Sequence, residues 1–285
     1  MKLPSSVPSI SSRKLTQYFH RFSRARILVL GDLILDHYVW GKVHRVSPEA
    51  PVPVVHVDSE SYRMGGAANV FHNIISLGGQ AELCGVVGSD QVGKQFLTDI
   101  RRSSTFSSGV LIDASRPTVK KTRIVAHNQQ IVRFDVEQRH DISTPKVEHM
   151  GYYEGVTVIT PNHLEAKHAA GFLPTQDVPI EQIGASLLKR LGCQAVVVTR
   201  GEEGMSIFEG NGQSWTIPAV ARQVYDVTGA GDTVVSTLAL AISAKASLPD
   251  AAVLANQAAG IVVGMVGTAT VTRAQLQEAF LHDRN

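Results

Sequence analysis

Short, continuous apolar runs alternate along the chain with stretches of helical spacing. Arg26-Ile27-Leu28-Val29-Leu30 runs into Gly31-Asp32, Ala81 to Val87 runs into Gly88 and Asp90, and Ala195 to Val198 runs into Thr199-Arg200-Gly201. Runs of this kind, stopped by glycine or a carboxylate, are the pattern of buried parallel strands. Between them Phe71 to Leu77, about Gly93 to Arg101, Val234 to Ala244, the Ala-rich stretch around Asn256 and Arg273 to Leu281 read as helices. Strand and helix in alternation predict an α/β fold, with a central, mostly parallel sheet flanked by helices. Ligands of such sheets gather outside the C-terminal ends of the strands.

Two segments keep a different period. Residues 37–61, with Pro48, Pro51 and Pro53 within six residues and Val-rich alternation after them, and residues 117–135 read as strands outside the main sheet. They suit a small β lid or a dimerisation hairpin. Alternation puts Lys121 and Arg123 on one face and Lys120 on the other, and a solvated strand face is the commoner fate of such cations.

Composition narrows the classes. Hydrophobic residues make up 44% and charged residues 18% of the 285, enough for a large core. Against 25 acidic residues stand 27 basic ones, and a net charge of +2 is too weak to predict nucleic acid or an anionic membrane as partner. Cys84 and Cys193, in apolar surroundings, suit buried thiols in a reducing compartment. Residues 1–26, Ser-rich and basic, read as a frayed or helical N-terminal extension ahead of a domain spanning 27–285. No run approaches membrane-spanning length, so a cytoplasmic protein is expected.

Candidate chemistry concentrates in Asp226-Val227-Thr228-Gly229-Ala230-Gly231-Asp232-Thr233, which opens the helix from Val234. Backbone amides of Gly229, Ala230 and Gly231 can point into one concavity where the helix dipole adds positive potential, with Asp232 placed as a base. A turn and a capped helix, with Asp232 satisfying free N–H groups, explains the same residues. Gly65-Gly66 and Asn69 lead another helix, as substrate contacts or as a close-packed helix start. Asn162 and Glu165 flank His163 with the spacing of a capping box.

Asp-Val-Thr-Gly-Ala-Gly-Asp-Thr resembles the C-terminal signature of the ribokinase-like (PfkB) sugar kinases. The resemblance implies that Asp232 deprotonates the acceptor hydroxyl and that Gly229, Ala230 and Gly231 form an anion hole for the transferred phosphoryl group. It places Asp36, Gly65, Gly66 and Asn69 at the sugar, and Asn162, Glu165, Thr199, Gly201, Gly204 and Asn256 at ATP, with His163 a loop histidine or a further nucleotide contact. Asn162 and Glu165 would hold Mg²⁺ through water, and Asp226 would stand by a monovalent cation. Ser47 to Val57 and Pro117 to Asp135 resemble, more narrowly, the heptose-7-phosphate kinases that make precursors of lipopolysaccharide core sugars. This implies transfer of the ATP γ-phosphoryl to the anomeric 1-hydroxyl of D-glycero-D-manno-heptose 7-phosphate, with Lys120, Arg123 or Arg133 near the sugar phosphate and a homodimer formed through the lid strands. A kinase for another sugar, or a catalytically inactive relative, is the alternative.

The resemblance covers Ile27 to about Asp135 and Tyr152 to Leu281. Kinases of this type carry between those points a strand-helix-strand with an Asp-Tyr-x-Lys-Gly motif, whereas Val136 to Gly151 is polar and too short for one. With every flanking motif intact, the expectation is that a segment has been left out. Because the chain stops at Asn285, soon after its last helix, a kinase without an appended nucleotidyltransferase is expected.

Overall fold

The computed structural model describes residues 9–103, 109–127, 129–138, 153–220 and 224–282. Its buried strands form two open sheets where the sequence pattern implied one. Strands β1 (Arg26–Leu30), β4 (Gln80–Val87) and β5 (Gly109–Ile112) pair in parallel in the order β1-β4-β5. Strands β8 (Val158–Ile159), β9 (Ala195–Thr199), β10 (Met205–Glu209) and β11 (Ser214–Ile217) follow in the order β11-β10-β9-β8, with β8 and β9 parallel. Among the described residues β1 and β8 each have a single neighbour, so each leaves one edge open. Leu28 and Leu30 on β1 are 64% and 78% exposed, and Leu111 of β5, on the same face, is 63% exposed. Parallel sheets are ordinarily covered on both faces. The strand-helix-strand expected to be absent falls at residues 139–152, outside the described residues.

Helices α2 (Ala67–Ser76), α6 (Ala230–Ser243) and α7 (Leu248–Val262) join the sheets. Ala241, Ala251, Ala252, Ala255 and Ala258 are buried on α6 and α7, small enough for the two helices to lie close. One core runs from Val29 and Leu83 of the first sheet to Val197, Met205 and Ile207 of the second. The other face of the second sheet, with Val196, Val198 and Phe208, packs on α4 (His163–Ala169) and α5 (Ile180–Leu191) through Ala166, Ile183 and Leu187. Helices α3 (Gln91–Ser103) and α8 (Arg273–His282) complete the layers.

The segment read as an N-terminal extension contains a docked helix. In α1 (Ser12–Phe22) Leu15, Tyr18, Phe19 and Phe22 are buried, an i, i+3, i+4, i+7 stripe. The Tyr18 hydroxyl donates to Asp250 Oδ2 at 2.7 Å, and burial together with that bond pushes its pKa up to about 12. Lys14 reaches the same carboxylate at 3.1 Å. Four aromatic and aliphatic positions in an otherwise polar segment carried this signal.

The lid is a four-stranded sheet, β3-β2-β6-β7, built from β2 (Leu33–Val46), β3 (Pro53–Gly66), β6 (Val119–Ala126) and β7 (Gln129–Val136). Its long hairpin carries bulges at Trp40/Gly41 and Val43/Arg45. Among the described residues no helix is long and apolar enough to cross a membrane.

Candidate active site

Asp36 lies within the buried half of strand β2, which runs to Val39, α2 carries Asn69 in its first turn, and α6 carries Asp232 in its own. The last two meet, and Asp36 is near enough to act on Asp232 through its charge. Asn69, 1% exposed, donates its Nδ2 to Asp232 Oδ2 at 3.0 Å. Gly229 permits this approach, since its φ of 81° is left-handed and a Cβ there would stand 2.6 Å from the Asn69 amide nitrogen. Burial pushes the Asp232 carboxyl above the usual carboxylate range; the Asn69 bond opposes this, Asp36 adds to it, and Lys121 draws it back. A carboxylate held by one amide donor, with a raised affinity for protons, is suited to accept one from a hydroxyl.

The anion hole differs in one member from the expectation. The Ala230 N–H donates to Val227 O at 3.2 Å and so closes the turn. Among the described residues the amides of Gly229 and Gly231 have no acceptor. A Cβ on Gly231 would meet nothing within 4 Å, so open space lies above the first turn of α6. This gives a contrast between neighbouring glycines. Gly231→Ala should keep or slightly raise thermal stability, alanine being favoured in a helix by about 0.5–1 kcal/mol, yet lower kcat by filling that space. Gly229→Ala should lower stability by about 1–3 kcal/mol through its positive φ and the clash with Asn69. Thermal denaturation and initial rates on the two variants check both.

The lid's cations sort by parity. Asp36 stands opposite Lys121, and Tyr38 opposite Arg123, in the parallel β2–β6 pairing, while Arg133 faces Arg123 across β6–β7. Lys120 pairs with Leu35, on the other face, so its assignment to the sugar phosphate is corrected. Lys121 is the residue the sequence reading passed over. Parity was the signal for it, because Arg123 and Lys121 had already been set on one face. Arg123 is not a free cation: its guanidinium donates to Asp36 at 2.5 Å, both groups are buried, and it lies 5.3 Å from the Tyr38 ring centroid. Arg133 is half exposed and donates to Asp135 at 3.0 Å. Gly65 makes room for Asp36, whose Oδ2 a Cβ would meet at 2.3 Å, and Gly66 turns the chain into α2. Both glycines therefore have packing reasons.

On the second sheet Asn162 and Thr199 are brought together by a parallel bridge at adjacent strand ends. Asn162 and Glu165 form a reciprocal capping box, with both N–H···O distances 2.9 Å. His163 Nε2 is buried without a partner among the described residues. Gly201 opens the short 3₁₀ turn Gly201–Glu203, and Gly204 leaves space for the Ile217 carbonyl. Asn256 is 6% exposed and donates its Nδ2 to Pro218 O at 2.8 Å, a tie between α7 and the segment after β11. Asp226 is bonded by the N–H groups of Thr228 and Gly267, each at 2.9 Å. A cavity of about 640 Å³ lies on the Leu35 and Met64 side of the lid base, with His72, Asp99 and Thr268 in its wall. Asp232 is not among its lining residues, but Thr268 also lies beside Gly229.

A β lid standing over the first turn of a helix that holds a carboxylate and open amides, at the edge of parallel strands, is the arrangement of an α/β phosphotransferase. The model of the pfkB family carbohydrate kinases matches residues 24–152 and 140–275, and the chain belongs to that family. It is a phosphotransferase acting on a sugar hydroxyl. The chain is 37% identical over 316 residues to the bifunctional protein HldE of Citrifermentans bemidjiense, covering 93% of this chain and 65% of that protein. It thus spans less than two thirds of that relative. The aligned 316 positions exceed the 93% of 285 residues that the chain supplies, so about fifty positions have no residue here, more than the ~30 a strand-helix-strand needs. Among solved structures, the phosphofructokinase-2 from Escherichia coli in complex with potassium is similar at a TM-score of 0.74 and 14% identity, covering 91% of this chain and 99% of that one. The ribokinase of Arabidopsis thaliana complexed with ribose and ATP is similar at 0.70 and 18%, covering 90% and 98%. At these identities the likeness is one of fold.

Proposed function

We propose that this chain transfers the γ-phosphoryl group of ATP to the anomeric 1-hydroxyl of D-glycero-D-manno-heptose 7-phosphate in the cytoplasm. The observation that carries the reading is the Asn69–Asp232 contact at the mouth of α6, with Asp36 and Lys121 acting on the same carboxylate. Asp232 takes the hydroxyl proton, and the Gly229 and Gly231 amides face the developing charge of the phosphoryl group. Asp36, held by Arg123, accepts from sugar hydroxyls. Lys121 and Arg133 share its face and suit a phosphate at the far end of the sugar. Thr199 and the turn from Gly201 to Gly204 lie on the nucleotide side.

Magnesium fits Glu165, one of whose oxygens is engaged by the Asn162 N–H and which is otherwise exposed, because the ion keeps most of its waters and needs few protein oxygens. When bound it neutralises the nucleotide phosphates. Asp226 accepts from the N–H groups of Thr228 in its own loop and of Gly267 in the segment after α7, and no step here depends on a monovalent cation. The edge strand β7, with Ile131, Val132, Phe134 and Val136 exposed, supports pairing of two lids in a homodimer.

The split sheet supports a further part of the proposal, that a strand-helix-strand belongs between β1 and β8. It also favours a second reading, an inactive relative that binds nucleotide alone. A panel of D-glycero-D-manno-heptose 7-phosphate, fructose 6-phosphate and ribose, with Mg²⁺-ATP and ³¹P detection of the product, separates the readings. The heptose phosphate is expected to give a new anomeric phosphate and the highest kcat/KM. A higher value for ribose defeats the substrate assignment, and ATP binding without turnover of any sugar favours the inactive relative.

A further inference from the structure

One turn beyond Asn69 on α2 lies Asn73, fully buried at 0% exposure. Its Oδ1 accepts the Val271 backbone N–H at 3.2 Å and the Thr233 hydroxyl at 3.5 Å. Its Nδ2 donates to the Asn69 backbone carbonyl at 3.0 Å and to Asn69 Oδ1 at 3.2 Å. A backbone N–H only donates and a backbone C=O only accepts, so Val271 and the Asn69 carbonyl fix which end of the Asn73 amide is oxygen and which nitrogen. With that nitrogen set against the Asn69 side chain, the atom it meets there must be oxygen. The end of Asn69 left for Asp232 is then its NH₂.

We propose that Asn73 is a positioning residue that holds the Asn69 amide one way round, so that an N–H donor and not a carbonyl oxygen meets the carboxylate of Asp232. Turned over, Asn69 would set oxygen against an ionised oxygen, and the base would be ionised less readily. The inference rests on the reading of Asp232 as the base and deepens it. From the elements packed around that carboxylate, α2 presents Asn69, β2 presents Asp36 with Arg123 bound to it, and β6 presents Lys121. Only Asn69 is uncharged, and so only it can be wrong in orientation rather than in sign.

Asn73→Asp keeps the acceptor for Val271 but cannot donate, and it attracts the Asn69 NH₂ to itself. The acid limb of the kcat–pH profile should move up by about one to two pH units, the size of one hydrogen bond to a charged group, with KM for ATP unchanged. Carbon-13 titration of the Asp232 carboxyl group, assigned against Asp232→Asn, should move by the same amount and requires no turnover. Since a buried aspartate can unfold the chain, Asn73→Ala, which frees Asn69 to take either orientation, should give a smaller shift in the same direction. In the unsubstituted protein a coupling through the hydrogen bond, from the Asn69 side-chain nitrogen to the Asp232 carboxyl carbon, is expected. An unchanged Asp232 titration in either folded variant, or absence of that coupling while Asp232 is ionised, overturns the inference and leaves Asn73 a packing residue. Full activity in Asp232→Asn would instead remove the base reading, and the Asn73 titration would still stand or fall by itself.

Discussion

Asp232→Asn is expected to lower kcat by about 10²–10⁴-fold, the usual contribution of a positioned general base, while leaving ATP affinity unchanged. Asparagine keeps the volume of aspartate, and its Oδ1 can still accept from Asn69, so the first turn of α6 is undisturbed. What is lost is the capacity to take a proton. The sign of the stability effect separates this from unfolding. Burial raises the Asp232 pKa above its unfolded value, so the folded state binds the proton more tightly. The stability gained from that binding is complete below the unfolded pKa and is lost as pH rises through the folded one. At neutral pH an ionised, partly buried Asp232 opposes folding, and the neutral variant should be no less stable. The kcat–pH profile of the unsubstituted enzyme should rise on its acid side above the ordinary carboxylate range, and that limb should vanish in the variant. Coupled ADP release and calorimetric ATP titration supply the measurements. A variant that turns over within tenfold of the parent at neutral pH would contradict the assignment.

Insertion between Asp135 and Tyr152 of a strand-helix-strand of the kind proposed above is expected to have the largest effect on stability. Leu28, Leu30 and Leu111 lie exposed on one face, and among the described residues β1 and β8 each pair with a strand on one side alone. Covering two or three leucines is worth about 1.5–3 kcal/mol each. In a chain of this size that corresponds to a rise in Tm on the order of 10 °C after the ordering of the new segment is subtracted. Binding of a hydrophobic dye should fall, and KM for the sugar should fall with it. A chimera with unchanged Tm and dye binding would show that the two sheets are complete without a connecting unit.

Much of this was legible because the chemistry sits at element ends. The apolar runs that stop at glycine or aspartate became the strands β1, β4 and β9, the last ending at the candidate Thr199, and the parity of a β strand already separated Lys121 from Lys120. Other features needed the tertiary structure. Arg123 reads as a free cation until Asp36 is set beside it by a parallel pairing 87 residues apart in sequence. Asn256 reads as a polar group on a small-residue helix until Pro218 comes within reach. Asn73 has no local signal at all, because each of its partners but Asn69 arrives from elsewhere in the chain. Helix α1 was underrated because its four buried side chains are diluted by basic and polar neighbours.

Gly66 ends the long lid strand β3 and is also the cap of α2, with the Asp32 carbonyl clasping the Ala67 N–H at 3.0 Å. Hairpin and helix therefore share a single joint, within one turn of Asn69. The strand that closes the lid and the helix that carries the Asp232 partner thus take their relative direction from one glycine.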